Sequence, residues 1–269
     1  MFRKISLLLA VLTLLLVRPL SADVLVLVHG YASDARTWEF SGVNDVLQAH
    51  GWPRAGVLPA APAVSSANKS YSVNLPAQAP LLVQADYLRA VLYQLRQYYP
   101  QEKLILAGHS AGGIVARLVL LGNNPFHVDE LITIATPNLG TYRAAQGLDV
   151  VDSKPFFCPG PGIDMLKSVL IGGEYDYLRD SRPLLVDLLP AESGNVLAWL
   201  NQQPYPDITY YSVIRQSAFG DGDEMVPAYS QDMNNVPALH GRVRVVVTPS
   251  GHSLNPQDGI LLAGILSKG

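Results

Sequence analysis

Gly108-His109-Ser110-Ala111-Gly112 places one serine between two glycines. The apolar stretch Lys103 to Ala107 runs straight into it, and a helical stretch, Ile114 to Leu121, leaves it. This is the G-x-S-x-G pattern of a sharp strand-to-helix turn, which lifts a serine hydroxyl clear of the end of a sheet. Tight packing of the helix on the strand leaves no space for side chains two positions either side, so Gly108 and Gly112 are the elbow glycines. A hydroxyl held this way suits nucleophilic attack, provided a base takes its proton.

Six histidines are available as that base. His109 lies inside the elbow, where its side chain points away from the serine, and has a supporting role. His29 closes a strand and braces a loop. His50 lies at a helix end, and His127 and His240 lie in loops. His252 stands in Pro249-Ser250-Gly251-His252-Ser253, just past the strand Arg242 to Thr248. A loop at the carboxyl end of a parallel strand is where α/β sheets carry their sites.

A histidine base needs a carboxylate to set its tautomer and stabilise the imidazolium. Gly220-Asp221-Gly222-Asp223-Glu224 follows the strand Ile208 to Ile214 and supplies Asp223, with Asp221 in reserve. The same acidic turn is also open to a calcium reading, since clustered oxygens suit that ion, but it has no twelve-residue EF-hand pattern. Two N–H donors must face the developing oxyanion. Ala111, directly after the serine, offers one, and Tyr31 in the loop His29-Gly30-Tyr31 offers the other.

The elements that must hold these residues alternate along the chain. Asp23 to Val28, Lys103 to Ala107 and Leu131 to Ala135 are continuous apolar runs, as expected for strands buried on both faces of a parallel sheet. Ala55 to Leu58 is a short strand, and Pro59 to Pro80 reads as loop. Trp38 to His50, ended by Gly51, reads as one helix. Leu81 to Tyr98 has apolar residues at helical spacing, and Gln257 to Leu266 closes the chain. The expected fold class is α/β, a mostly parallel sheet flanked by helices. The alternation breaks from about Thr141 to Asp207, where short apolar pieces, Met165 to Ile171, Leu184 to Leu189 and Val196 to Leu200, read as a helical cap inserted over one end of the sheet. Ordinary helical crossover with long loops is the other reading. These apolar residues either rim a site for acyl chains or pack the insertion onto the core.

Composition narrows the function classes. Of the 269 residues, 49% are hydrophobic and 15% charged, and the net charge is −3 without a basic cluster, which argues against nucleic acid as a partner. One cysteine, Cys158, leaves no intramolecular disulfide and no cysteine-rich zinc site. No nucleotide-binding glycine motif follows a strand, so no cofactor is expected. Arg3-Lys4, the apolar run Ile5 to Val17 and the small residues Ser21-Ala22 read as a signal peptide over residues 1–22. That run is shorter than the roughly 20 residues of a membrane span; an uncleaved anchor is the alternative. Residues 23–269 are then a single domain, secreted or periplasmic.

Val28-His29-Gly30-Tyr31, Gly108-His109-Ser110-Ala111-Gly112-Gly113, Thr136-Pro137-Asn138-Leu139-Gly140-Thr141, Asp223-x-x-Val226-Pro227 and Gly251-His252 together resemble the α/β-hydrolase superfamily. The order Ser110, Asp223, His252 is the order of that superfamily. Within it the chain most resembles bacterial secreted triacylglycerol lipases and related lipase-like serine esterases, from Val24 to Leu266. The resemblance implies a sheet lacking the first two strands of the fold, and Thr136-Pro137 flooring the site beside Ser110. It implies an ester substrate, small-molecule or lipid, with transient contact at a lipid interface. The chain lacks the cysteine pair of the larger members and shows no clear calcium-ligand set. Acyl transfer, thioester hydrolysis and amide hydrolysis use the same triad and stay open. A non-enzymatic binding module on this fold is the remaining class; such modules usually lose a triad member, and all three are present here.

Overall fold

Seven strands pair into one sheet in the order β2-β3-β1-β4-β5-β6-β7, and every pairing is parallel. The structure, a computed structural model, describes residues 22–153, 173–217 and 220–268. The strands are β1 (Asp23–Val28), β2 (Arg54–Leu58), β3 (Lys69–Val73), β4 (Lys103–His109), β5 (Glu130–Ile134), β6 (Thr209–Arg215) and β7 (Val243–Thr248). The helices are α1 (Thr37–Phe40), α2 (Val43–Ala49), α3 (Leu81–Tyr98), α4 (Ala111–Val119), α5 (Tyr142–Asp152), α6 (Gly173–Asp180), α7 (Arg182–Asp187), α8 (Val196–Leu200), α9 (Ala228–Gln231) and α10 (Pro256–Leu266). Residues 1–21 of the expected leader, Cys158 and the piece Met165 to Ile171 lie outside the described residues.

The central strands β1, β4 and β5 are buried on both faces, which is why they are mostly apolar. Val24, Val26 and Val28 of β1 pack with α3 and α4, while Leu25 and Leu27 pack with Trp38, Val43, Leu47 and Leu262 on the other side. Each such buried aliphatic side chain contributes about 1.5–3 kcal/mol relative to exposure.

Two expectations are corrected. Pro59 to Pro80 is not all loop, because Lys69–Val73 forms β3 between β1 and β2. Its polar residues are buried with partners rather than exposed: Lys69 Nζ lies 4.5 Å from the centroid of the Tyr99 ring, and Ser70 Oγ is 3.4 Å from the Trp52 carbonyl oxygen. Tyr71 hydroxyl lies 2.7 Å from that of Tyr99. The helix expected over Trp38 to His50 is two, α1 and α2, because Gly42 turns left-handed at φ 75° between them.

Between β5 and β6, helices α5 to α8 account for the described part of the insertion. Leu184, Leu188, Leu197 and Leu200 are buried in the main core, so these apolar residues serve packing. The segment is tied to the sheet's carboxyl end by main-chain bonds from Thr141 N to Leu188 O and from Ala191 N to Leu139 O, each 2.9 Å.

Candidate active site

Strand β4 delivers Ser110 and α4 carries the chain away, so one residue must absorb the whole change of direction. Ser110 does so at φ 51°, ψ −130°. A non-glycine residue in such a region costs about 1–3 kcal/mol and persists only where its surroundings enforce it. They do: Ser110 N donates to Ile134 O at 2.8 Å, and Gly113 N donates to Ser110 O at 3.0 Å. A Cβ on Gly112 would overlap the His29 carbonyl oxygen, one on Gly108 would overlap the Gly113 backbone, and one on Gly113 would overlap Thr136. Thr136 is fully buried beneath the elbow.

Ser110, His252 and Asp223 meet in one chain of hydrogen bonds. Asp223 Oδ2 lies 3.0 Å from His252 Nδ1, and His252 Nε2 lies 3.0 Å from Ser110 Oγ. An ionised carboxylate only accepts, so Nδ1 carries the proton and Nε2 is free to accept from the serine hydroxyl. The Asp223 side chain is fully buried and His252 is 14% exposed. Burial pushes the Asp223 carboxyl up, but the His252 hydrogen bond and charge and the N–H groups of Val226 and Met225 outweigh it, leaving Asp223 below the usual carboxylate range. Asp221 is not in this chain; its carboxylate accepts from Ser217 Oγ.

The loop after β1 closes the other side. A Cβ on Gly30 would lie 2.8 Å from Ser110 Cβ and 3.4 Å from Ser110 Oγ, so only glycine lets the backbone leading to Tyr31 come this near. His29 braces the loop as expected: its Nδ1 donates to Gly30 O at 2.9 Å and its Nε2 accepts from Leu75 N at 3.0 Å. The Tyr31 ring lies against Tyr177 of α6, with centroids 5.4 Å apart. Ala111 opens α4, whose first-turn N–H groups have no intrahelical acceptors and face negative charge favourably.

Three further residues surround this chain of hydrogen bonds. Gln231 of α9 is buried; its Oε1 accepts from Arg215 N at 2.7 Å, which turns its Nε2 towards Asp223 Oδ2 (3.2 Å) and Val226 O (2.8 Å). His109 Nε2 donates to His252 O at 2.9 Å. Burial, then the nearby His252 charge, hold the His109 imidazole down to about 3, so it is neutral. Glu224 accepts the His252 main-chain N–H. No local sequence pattern links Gln231 to Asp223.

A hollow of about 330 Å³ opens beside Asp223, lined by Thr141, Tyr142, Arg143, Glu224 and Met225 among others. A larger one, about 610 Å³, lies elsewhere around Leu139, Trp199 and Asn235 and includes none of the three residues of the hydrogen-bonded chain. A serine hydroxyl bonded to an imidazole that is bonded to a buried carboxylate is an arrangement for nucleophilic attack with general-base assistance.

Residues 25–263 match the alpha/beta hydrolase family. The chain belongs to this family. Among solved structures, this α/β-hydrolase is similar to a lipase of Bacillus licheniformis in its mature form, at 15% identity and TM-score 0.61 over 93% of this chain and 92% of that one. It is also similar to an esterase of Pyrococcus furiosus, at 16% identity and TM-score 0.58 over 92% of this chain and 81% of that one. A lipase-esterase related protein of Clostridium acetobutylicum matches at 11% identity and TM-score 0.56 over 92% and 94% of the two chains. At such identities the likeness is one of fold. A comparison with curated protein sequences finds no match.

Proposed function

We propose that this α/β-hydrolase is an exported carboxylic ester hydrolase, cleaving lipid or other acyl esters through Ser110, His252 and Asp223. The observation that carries the reading is the unbroken chain from Asp223 Oδ2 through the His252 ring to Ser110 Oγ, with both steps at 3.0 Å. In this reading His252 takes the hydroxyl proton as Ser110 attacks the ester carbonyl, and Asp223 steadies the imidazolium. The tetrahedral oxyanion lies between the N–H groups of Ala111 and Tyr31. His252 then protonates the departing alcohol, and water clears the acyl-serine by the same route.

Residues 1–22 serve as a signal peptide, and 23–269 fold as one domain in which 141–207 cap the site. The purified exported protein is expected to begin at Asp23 on N-terminal sequencing. With p-nitrophenyl esters, Ser110→Ala is expected to lower kcat at least about a thousandfold with the thermal midpoint retained. Undiminished turnover by that variant sinks the reading.

A further inference from the structure

His252 stands on an exposed loop between β7 and α10, and loops of this kind are the mobile parts of a fold. Four hydrogen bonds hold it. Two serve the ring, one donated by Nδ1 to Asp223 and one accepted by Nε2 from Ser110. The other two grip the main chain of the same residue. The His252 N–H donates to the Glu224 carboxylate, 3.1 Å to Oε1 and 3.2 Å to Oε2, while the His252 carbonyl accepts from His109 Nε2 at 2.9 Å.

Glu224 is itself held. Its main-chain carbonyl accepts from Arg143 Nε of α5 at 2.7 Å. A Cβ on Gly251 would stand 3.3 Å from Glu224 Oε2, so the carboxylate lies close against the loop and a side chain at 251 would crowd it. Two consecutive carboxylates thus hold one histidine, Asp223 by its ring and Glu224 by its backbone. Glu224 is exposed and no member of the core, so burial gives it no reason to lie there.

We propose that Glu224 is a positioning residue for His252, holding its main chain so that Nε2 stays within reach of Ser110. The proposal rests on the reading of His252 as the general base. A hydrogen bond to an ionised acceptor is roughly twice as strong as a neutral one, and displacing a catalytic group by about 1 Å costs on the order of a hundredfold in rate. Loss of the clamp therefore acts on turnover and leaves substrate binding nearly untouched.

The test compares the purified wild-type protein with Glu224→Gln, which keeps an acceptor, Glu224→Met, which keeps the length without one, and Ser110→Ala. p-Nitrophenyl butyrate is the probe, with kcat and KM measured separately. The low-field proton resonance of His252 Nδ1–H reports the ring's hydrogen bond to Asp223. Glu224→Met is expected to lower kcat about tenfold with KM within about twofold and to broaden that resonance, whereas Glu224→Gln keeps kcat within about threefold. Should the methionine variant fail to fold, Glu224→Ala takes its place in the same comparison. Wild-type kcat in the variant lacking the acceptor overturns the proposal, as does equal impairment of Glu224→Gln. Full activity in Ser110→Ala instead removes the reading on which it rests, so the two failures are told apart.

Discussion

Ser110 sits where a non-glycine backbone resists sitting, and the neighbouring glycines are what make that tolerable. Of them, Gly112 is the least replaceable: a Cβ there meets main-chain oxygens of Val28 and His29, which have no side-chain freedom to give. Gly112→Ala must therefore shift α4 or the loop after β1, and either shift moves Ser110 or Tyr31. We expect it to cost about 1–3 kcal/mol in urea unfolding and to lower kcat even where the protein remains folded. An alanine variant as stable and active as the parent contradicts the packing account of the elbow. At this scale Ser110, Asp223 and His252 were legible because each stands at the end of a recognisable strand. Gln231 was not, because its bond to Asp223 exists only once α9 folds back beneath the acid loop.

At the scale of elements, the long apolar strands and α3 were legible from composition and period alone. Helix α3 has the expected bounds, Leu81–Tyr98. Strand β3 escaped because Lys69-Ser70-Tyr71-Ser72-Val73 alternates with period two yet buries its polar members as well, and their partners, Trp52 and Tyr99, are distant in sequence. The join between β6 and α10 is another tertiary matter. Arg215 and Asp258 are both fully buried and form an ion pair in which Arg215 Nη2 donates to Asp258 Oδ2 at 2.8 Å, while Arg215 Nη1 donates to Thr248 Oγ1 at 2.8 Å. Asp258 at the same time completes the capping box of α10 with Asn255. Removing one member of a buried pair leaves the other charge uncompensated. Asp258→Ala is accordingly expected to cost about 3–5 kcal/mol by denaturant titration. A loss below about 1 kcal/mol would show that the pair does not tie helix to sheet in this way.

For the whole molecule, the depressed pKa values of His109, His29 and Asp223 make acid unfavourable. His109 is held down to about 3 and so stays neutral in the folded state in mild acid, and burial lowers His29 in the same direction. The unfolded chain binds protons at these positions once the pH falls below about 6.5, and the folded one binds them only at lower pH. The stability these two positions contribute is thus complete above that pH and declines as the pH falls below it, for His109 from about 6.5 towards 3. Asp223 adds in the same direction lower down, since its depressed pKa gives stability present above the ordinary carboxylate value of 3.8 and lost as pH falls through the folded value. Thermal midpoints are expected to drop between pH 7 and pH 5, before ordinary carboxylates titrate; a midpoint flat over that interval contradicts the buried neutral histidines.

The sequence by itself determined the α/β alternation, the elbow and the three side chains worth bringing together, because these depend on local spacing and on strands that end where chemistry-bearing residues begin. Tertiary structure alone decided that β3 enters the sheet, that Asp223 rather than Asp221 reaches His252, and that Glu224, His109 and Gln231 surround them. Each of those outcomes turns on contacts between segments remote along the chain, and a linear pattern carries no record of which remote partner a polar side chain will find.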